Sequence, residues 1–275
     1  MKRPRYWLDG EIVENAVVPA DDRGLLYGDG LFETILVARG RPLWLSAHLA
    51  RFRRSARALG FPGPEQLAQA GARAARDLLK ADSADRAALR ITWTRGSGAG
   101  GFAPPASTAR VFARLAPLPA KRSAGVRAIH YPDLHAGSMA AHKTCSSMVY
   151  VEAARRARAA GADEALLADG QGGIAEATAA NLFAVIDGVL VTPPARLPLL
   201  PGITRAWAIR QAAAMRLRFR ERALRAEDLR HAEEVFLTGS LAGVVPLRTL
   251  DGRRVGKAGT LTKKLASAFA REAAL

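Results

Sequence analysis

DDRGLLYGDGLFETILVARG, residues 21–40, sets two turn signals around one alternating strand. Gly28-Asp29-Gly30 leads into the strand. Arg39-Gly40 leads out of it as a hairpin signal, because glycine supplies the positive φ that a two-residue turn needs. At the strand's start Phe32 and Thr34 share one face and Glu33 takes the other. Read alone, the stretch fits any fold with an antiparallel sheet, and its meaning depends on what the rest of the chain brings to Phe32 and Thr34.

Working outward, Asp9-Gly10 repeats the hairpin device inside YWLDGEIV, and Asp187-Gly188 repeats it inside NLFAVIDGVLVTP. Ser46 opens a helix with Leu49, Phe52, Ala56 and Leu59 on one face and Gly60 as its stop. A second helix is expected from Pro64 to Lys80, followed by strands ALRITWT and ARVFARL. Beyond the proline-bearing stretch 116–125 the spacing predicts a helix over 146–160, a strand at EALLAD and a helix from about Thr204. Strands at RLRFRERAL, EVFLTGS and VVPLRTL and a closing helix complete the pattern. Short turns between neighbouring strands favour mixed, mainly antiparallel sheets over a doubly wound parallel one. The expectation is an α/β chain of α+β type with an N-terminal domain at 1–115, a linker at 116–125 and a C-terminal domain at 126–275.

A chain of 275 residues, 49% hydrophobic, can bury a large core. No apolar run is long enough for a signal peptide or a membrane span, and the lone Cys145 excludes an internal disulfide, so a cytoplasmic location is expected. The formal charge of +16 leaves a nucleic-acid-binding module as the alternative outside the enzymes. Its basic residues are dispersed and come with no recognition motif, so neither nucleic acid nor membrane is expected as a partner. Small anionic substrates remain a use for the field.

Several chemistries drop out. Gly96-Ser-Gly98-Ala-Gly-Gly101 matches G-x-G-x-x-G, but Phe102-Ala-Pro104-Pro105 follows where a dinucleotide site needs a helix. His48, His130, His135, His142 and His231 show no metal-ligand spacing, so no metal is expected, and no serine-hydrolase elbow exists. Only seven of the 41 basic residues are lysines. One of them, Lys143 in AAHKTCSSM, sits among small, weakly polar residues just before a helix. An amine there is readily desolvated, which suits Schiff-base chemistry.

After Lys143 come Glu176 in GGIAEATAANLF, LLPGITR at 199–205 and LTGS at 237–240. With DDRGLLYGDGLFET, these blocks make nearly the whole chain resemble the fold-type IV, or class IV, enzymes of pyridoxal 5'-phosphate (PLP). That group includes branched-chain and D-amino-acid aminotransferases and 4-amino-4-deoxychorismate lyases. The resemblance implies a mainly antiparallel N-terminal sheet with two helices and a barrel-like mixed α/β C-terminal domain. It implies that Lys143 holds the cofactor and moves the proton, and that Glu176 meets the pyridine nitrogen and keeps the ring an electron sink. Gly202, Ile203 and Thr204 would seat the phosphate at a helix start, with Arg51 and Ser240 adding contacts. Leu200 would pack on the ring and Asn181 support the loop after Glu176. Tyr27, Phe32, Thr34, Arg95 and Leu241 would face an amine or amino-acid substrate, and a homodimer is implied.

Within the family, GLFET and the loop TRGSGAGGFAPP resemble the lyases, whose RGSGGRGY has Arg where Gly100 stands here. Arg-x-His, the carboxylate trap of D-amino-acid enzymes, is missing. Met148 stands five residues after Lys143, where branched-chain enzymes present Tyr. The tail LDGRRVGKAGTLTKKLASAFARE resembles branched-chain enzymes. The lyase reaction, yielding pyruvate and 4-aminobenzoate for folate, is therefore expected. The alternative is an aminotransferase acting on branched-chain or D-amino acids with 2-oxoglutarate.

Overall fold

The computed structural model describes residues 5–98, 101–103, 108–119, 125–134, 137–256 and 259–273. The chain falls into two compact units, the first comprising 1–119, 142–147 and 273–275 and the second 120–141 and 148–272. Residues 120–124 of the expected linker, and Gly100 and His135, lie outside the described residues. Residues 142–147, grouped by sequence with the second domain, belong to the first unit. Backbone hydrogen bonds tie them to the strand that begins at Gly30.

In the first unit β1 (Tyr6–Leu8) and β2 (Glu11–Val13) form the first hairpin. A short α1 (Arg23–Leu26) precedes β3 (Gly30–Ala38), which turns into β4 (Arg41–Pro42). Two long helices follow, α2 (Leu45–Ala58) and α3 (Pro64–Asp82), and then β5 (Arg86–Thr94) and β6 (Arg110–Ala116). The sheet order is β2-β1-β6-β5-β3-β4, with every pairing antiparallel. Asp9 and Arg39 take the positive φ of 46° and 49° that the turn signals predict. Trp93 anchors the core, stacked on Phe52 with centroids 3.9 Å apart. Gly71 of α3 makes room for it, since a Cβ there would stand 2.5 Å from Trp93 Cζ2.

The second unit opens with β7 (Val126–Leu134) and a 3-10 turn at Gly137–Ala141. Then come α4 (Met148–Ala159), β8 (Glu164–Ala168), β9 (Ile174–Ala177), β10 (Asn181–Ile186) and β11 (Val189–Thr192). The helix α5 (Ile203–Ala214) leads to β12 (Phe219–Glu221) and α6 (Ala226–His231). Last are β13 (Glu234–Gly239), β14 (Gly243–Leu250), β15 (Arg253–Arg254) and α7 (Thr260–Glu272). The order β12-β11-β10-β13-β14-β7-β8-β9 mixes antiparallel ladders with parallel pairings of β11 to β12, β14 to β7 and β7 to β8. RLRFRERAL yields only the three residues of β12, because just that part pairs, as the edge strand, with β11. No helix among the described residues is long and apolar enough to cross a membrane.

Candidate active site

Lys143 is positioned by backbone. The Phe32 N–H donates to the Lys143 carbonyl at 2.9 Å, and the Cys145 N–H to the Gly30 carbonyl at 2.8 Å. Glycine is needed on the β3 side of this contact. A Cβ on Gly30 would lie 2.9 Å from the Trp93 carbonyl and 3.0 Å from Cys145 Sγ, and one on Gly28 would lie 2.4 Å from Ser146 Oγ. The Gly-Asp-Gly turn therefore admits the lysine segment against the sheet. Burial pushes the Cys145 thiol up to about 11, which suits a packed, unreactive cysteine.

The Lys143 Nζ lies 4.4 Å from the Phe32 ring centroid, and the Arg90 guanidinium carbon lies 3.7 Å from it. Arg90 pairs across the sheet with Thr34 on one side and Arg114 on the other, so all three share the face of Phe32. Among the described residues Arg90 has no hydrogen-bond or carboxylate partner. Burial, and after it the charge of Arg114, pull its pKa below the ordinary value. Like charges placed directly opposite on a sheet oppose folding. An arriving anion would relieve that cost.

Glu33 points the other way, toward α2, and is closed in by charge. Arg51 donates from Nε to Oε1 at 2.8 Å and from Nη2 to Oε2 at 2.6 Å, and His48 Nδ1 lies 2.7 Å from Oε2. Burial pushes the Glu33 carboxyl up, but the Arg51 charge and the hydrogen bonds from His48 and Arg51 outweigh it and hold the group at about 2. Burial draws His48 below its ordinary value against the pull of Glu33. Arg51 is thereby held in one orientation.

Arg95, expected to face a substrate, donates to both oxygens of Asp29 and to the Leu59 and Gly60 carbonyls at the end of α2. Arg23 shares Asp29 and also holds the Gly101 and Phe102 carbonyls. Tyr27 stands edge-on to the exposed Phe102 ring at 5.7 Å.

In the second unit Glu176 on β9 is buried, with Oε2 accepting from the Leu200 N–H at 3.0 Å and from Asn181 Nδ2 at 3.3 Å. Asn181 Nδ2 also reaches the Leu200 carbonyl at 2.9 Å, which joins Glu176 to the chain before α5. Tyr150, which sequence reading missed, donates its hydroxyl to Glu176 Oε1 at 3.2 Å. Gly202 caps α5 without a side-chain hydrogen bond, and a Cβ there would stand 2.0 Å from Asn181 Oδ1. The first N–H groups of the helix have no intrahelical acceptor. The Thr204 hydroxyl beside them is buried without a partner, as is the Thr238 hydroxyl of β13. Ser240 and Leu241 occupy the turn between β13 and β14. Such a donor set, with orphaned hydroxyls and a helix start, fits a phosphate.

Residues 30–250 match the family model for class IV amino-transferases. The chain belongs to the class IV aminotransferases. It is 32% identical over 270 residues to the bifunctional aminodeoxychorismate lyase / D-amino acid transaminase of Mycobacterium tuberculosis, covering 90% of this chain and 91% of the relative. The branched-chain amino acid aminotransferase of Escherichia coli superposes with a TM-score of 0.89 at 31% identity, over 98% of this chain and 93% of that one. A hypothetical aminotransferase of Mycobacterium tuberculosis in its PLP-bound form gives 0.87 at 28% identity, over 98% and 99%. Class IV members are PLP enzymes, and PLP is the cofactor of this one.

Three outcomes test the site. Glu33→Ala strands a buried guanidinium and imidazole and should cost about 3–5 kcal/mol in urea unfolding. Unfolded His48 binds a proton below about pH 6.5, one the folded site resists, so stability should fall from pH 7 toward pH 5. Glu33 adds to that loss only below about pH 4.5, because its folded carboxyl stays charged down to about 2. His48→Gln should flatten part of the slope between pH 7 and 5. Thr204→Val removes a hydroxyl with no internal partner, so apo stability should hold while PLP affinity, measured by fluorescence titration, drops roughly 10- to 100-fold.

Proposed function

We propose that the protein is a PLP-dependent 4-amino-4-deoxychorismate lyase, working as a homodimer. Arg90 is the observation that carries the reading. Among the described residues it is a half-buried guanidinium without an acceptor, on the same sheet face as Phe32 and Thr34 and in the unit that holds Lys143. With Arg114 directly opposite, that face is basic and suits a substrate bearing two carboxylates better than a branched apolar side chain. The exposed apolar side chains Leu25, Leu26, Tyr27 and Phe102 support burial against a second copy.

Bound PLP supplies the electron sink for charge left at the amine-bearing carbon. Lys143 Nζ would take the proton from that carbon, Arg90 would anchor a carboxylate, and Arg51 and the start of α5 would hold the phosphate. Glu176 would accept a hydrogen bond from the protonated ring nitrogen. Loss of the enolpyruvyl group then gives pyruvate and an aromatic product, with the proton from Lys143 returned to the departing carbon.

The second reading is an aminotransferase using 2-oxoglutarate, also a dicarboxylate. It is favoured by the branched-chain structural relative and by the transaminase named in the bifunctional one. Parallel assays decide between them. The expected result is 4-aminobenzoate from aminodeoxychorismate, with little keto acid from leucine or D-alanine; the reverse pattern selects the aminotransferase. Lys143→Ala should abolish either activity. Arg90→Gln should raise KM for the dicarboxylate by about 10-fold or more while leaving PLP binding intact.

A further inference from the structure

Asn181 Nδ2 and the Leu200 N–H both meet one oxygen of Glu176, Oε2. The Tyr150 hydroxyl donates to the other, Oε1, at 3.2 Å. Donors on both oxygens set the plane of a carboxylate more firmly than donors on one. Tyr150 stands in the first turn of α4, and its ring packs on the cluster of Tyr131, Ala153, Ala157, Ala165 and Leu167. Ring and hydroxyl thus have separable roles, packing for one and Glu176 for the other. Burial, with the Glu176 charge next, pushes the phenol's pKa far up, so it remains a neutral donor at working pH.

We propose that Tyr150 is a positioning residue that fixes the plane of the Glu176 carboxylate, so that Glu176 meets the cofactor's ring nitrogen squarely. This rests on the cofactor assignment above. With the phenol removed, Glu176 loses a donor on Oε1, and the bond to the ring nitrogen weakens while the phosphate contacts are untouched.

The test uses Tyr150→Phe, which keeps the ring and removes the donor. PLP affinity of the apo protein is compared with that for 1-deazapyridoxal 5'-phosphate, whose ring carries CH in place of the nitrogen. The expected result is a PLP affinity weakened about 5- to 10-fold, a visible circular-dichroism band of bound PLP that is reduced or shifted, and an affinity for the deaza analogue that is nearly unchanged. Equal losses for both ligands would mean that Tyr150 only packs, and would overturn the proposal. So would an unchanged PLP affinity, or a tighter one, since tighter binding would make the phenol a competitor for Glu176. Should Tyr150→Phe not fold, Tyr150→Met, flexible enough to fill the space, carries the same comparison. A wild-type protein that binds no PLP overturns the cofactor assignment and this proposal together. Normal wild-type binding with an unmoved variant overturns this proposal alone.

Discussion

The first unit depends on a backbone contact that admits no side chain. β3 pairs with β5 along its whole length, and at its first residues it also hydrogen-bonds the segment that carries Lys143. Gly30 meets the Trp93 carbonyl and the Cys145 sulfur at once, so even a methyl group would force the strand from one neighbour or the other. The lysine's place is therefore decided by sheet geometry rather than by its own local sequence. A loop lysine gains a fixed backbone position because its carbonyl accepts from the Phe32 N–H of the strand.

Charge is distributed by a similar economy. Two acidic residues absorb most of the buried basic charge in the first unit: Glu33 takes Arg51 and His48, and Asp29 takes Arg23 and Arg95. These groups are fixed by mutual attraction, and Arg23 and Arg95 also by carbonyl acceptors. Among the described residues Arg90 has no acidic neighbour, and this is what suits it to the carboxylate-binding role proposed for it. The formal charge of +16 says little by itself. What distinguishes the arginines is which of them has been given a carboxylate.

Much of the architecture was legible because its signals are local. Asp9-Gly10, Arg39-Gly40 and Asp187-Gly188 mark hairpins through backbone conformations that only certain residues tolerate, and all three carry the positive φ. The helices α2 and α3 follow their apolar spacing within one or two residues at most ends. β7 was not legible. Pro132 reads as a breaker there, yet it sits where the register with β8 shifts between Tyr131 and Leu134, so the missing N–H disturbs no regular ladder. Glu176, Asn181 and the helix start at Ile203 stand out in the sequence because their blocks are distinctive, and the structure joins them through Leu200. Arg95 and Arg90 lie on one short stretch, and only their surroundings tell them apart. Tyr150 meets Glu176 from another element, a contact that no pattern of spacing expresses.

Glu234, at the head of β13, accepts hydrogen bonds from the Leu261 and Thr262 N–H groups and from the Thr262 hydroxyl. A Cβ on Gly259 would overlap its carboxylate. A buried carboxylate is costly until its donors arrive, and here they come from residues translated well after the strand. On the ribosome β13 must emerge with this side chain still hydrated or loosely held. The second unit can seal around it only when Gly259 and the first turn of α7 have left the exit tunnel.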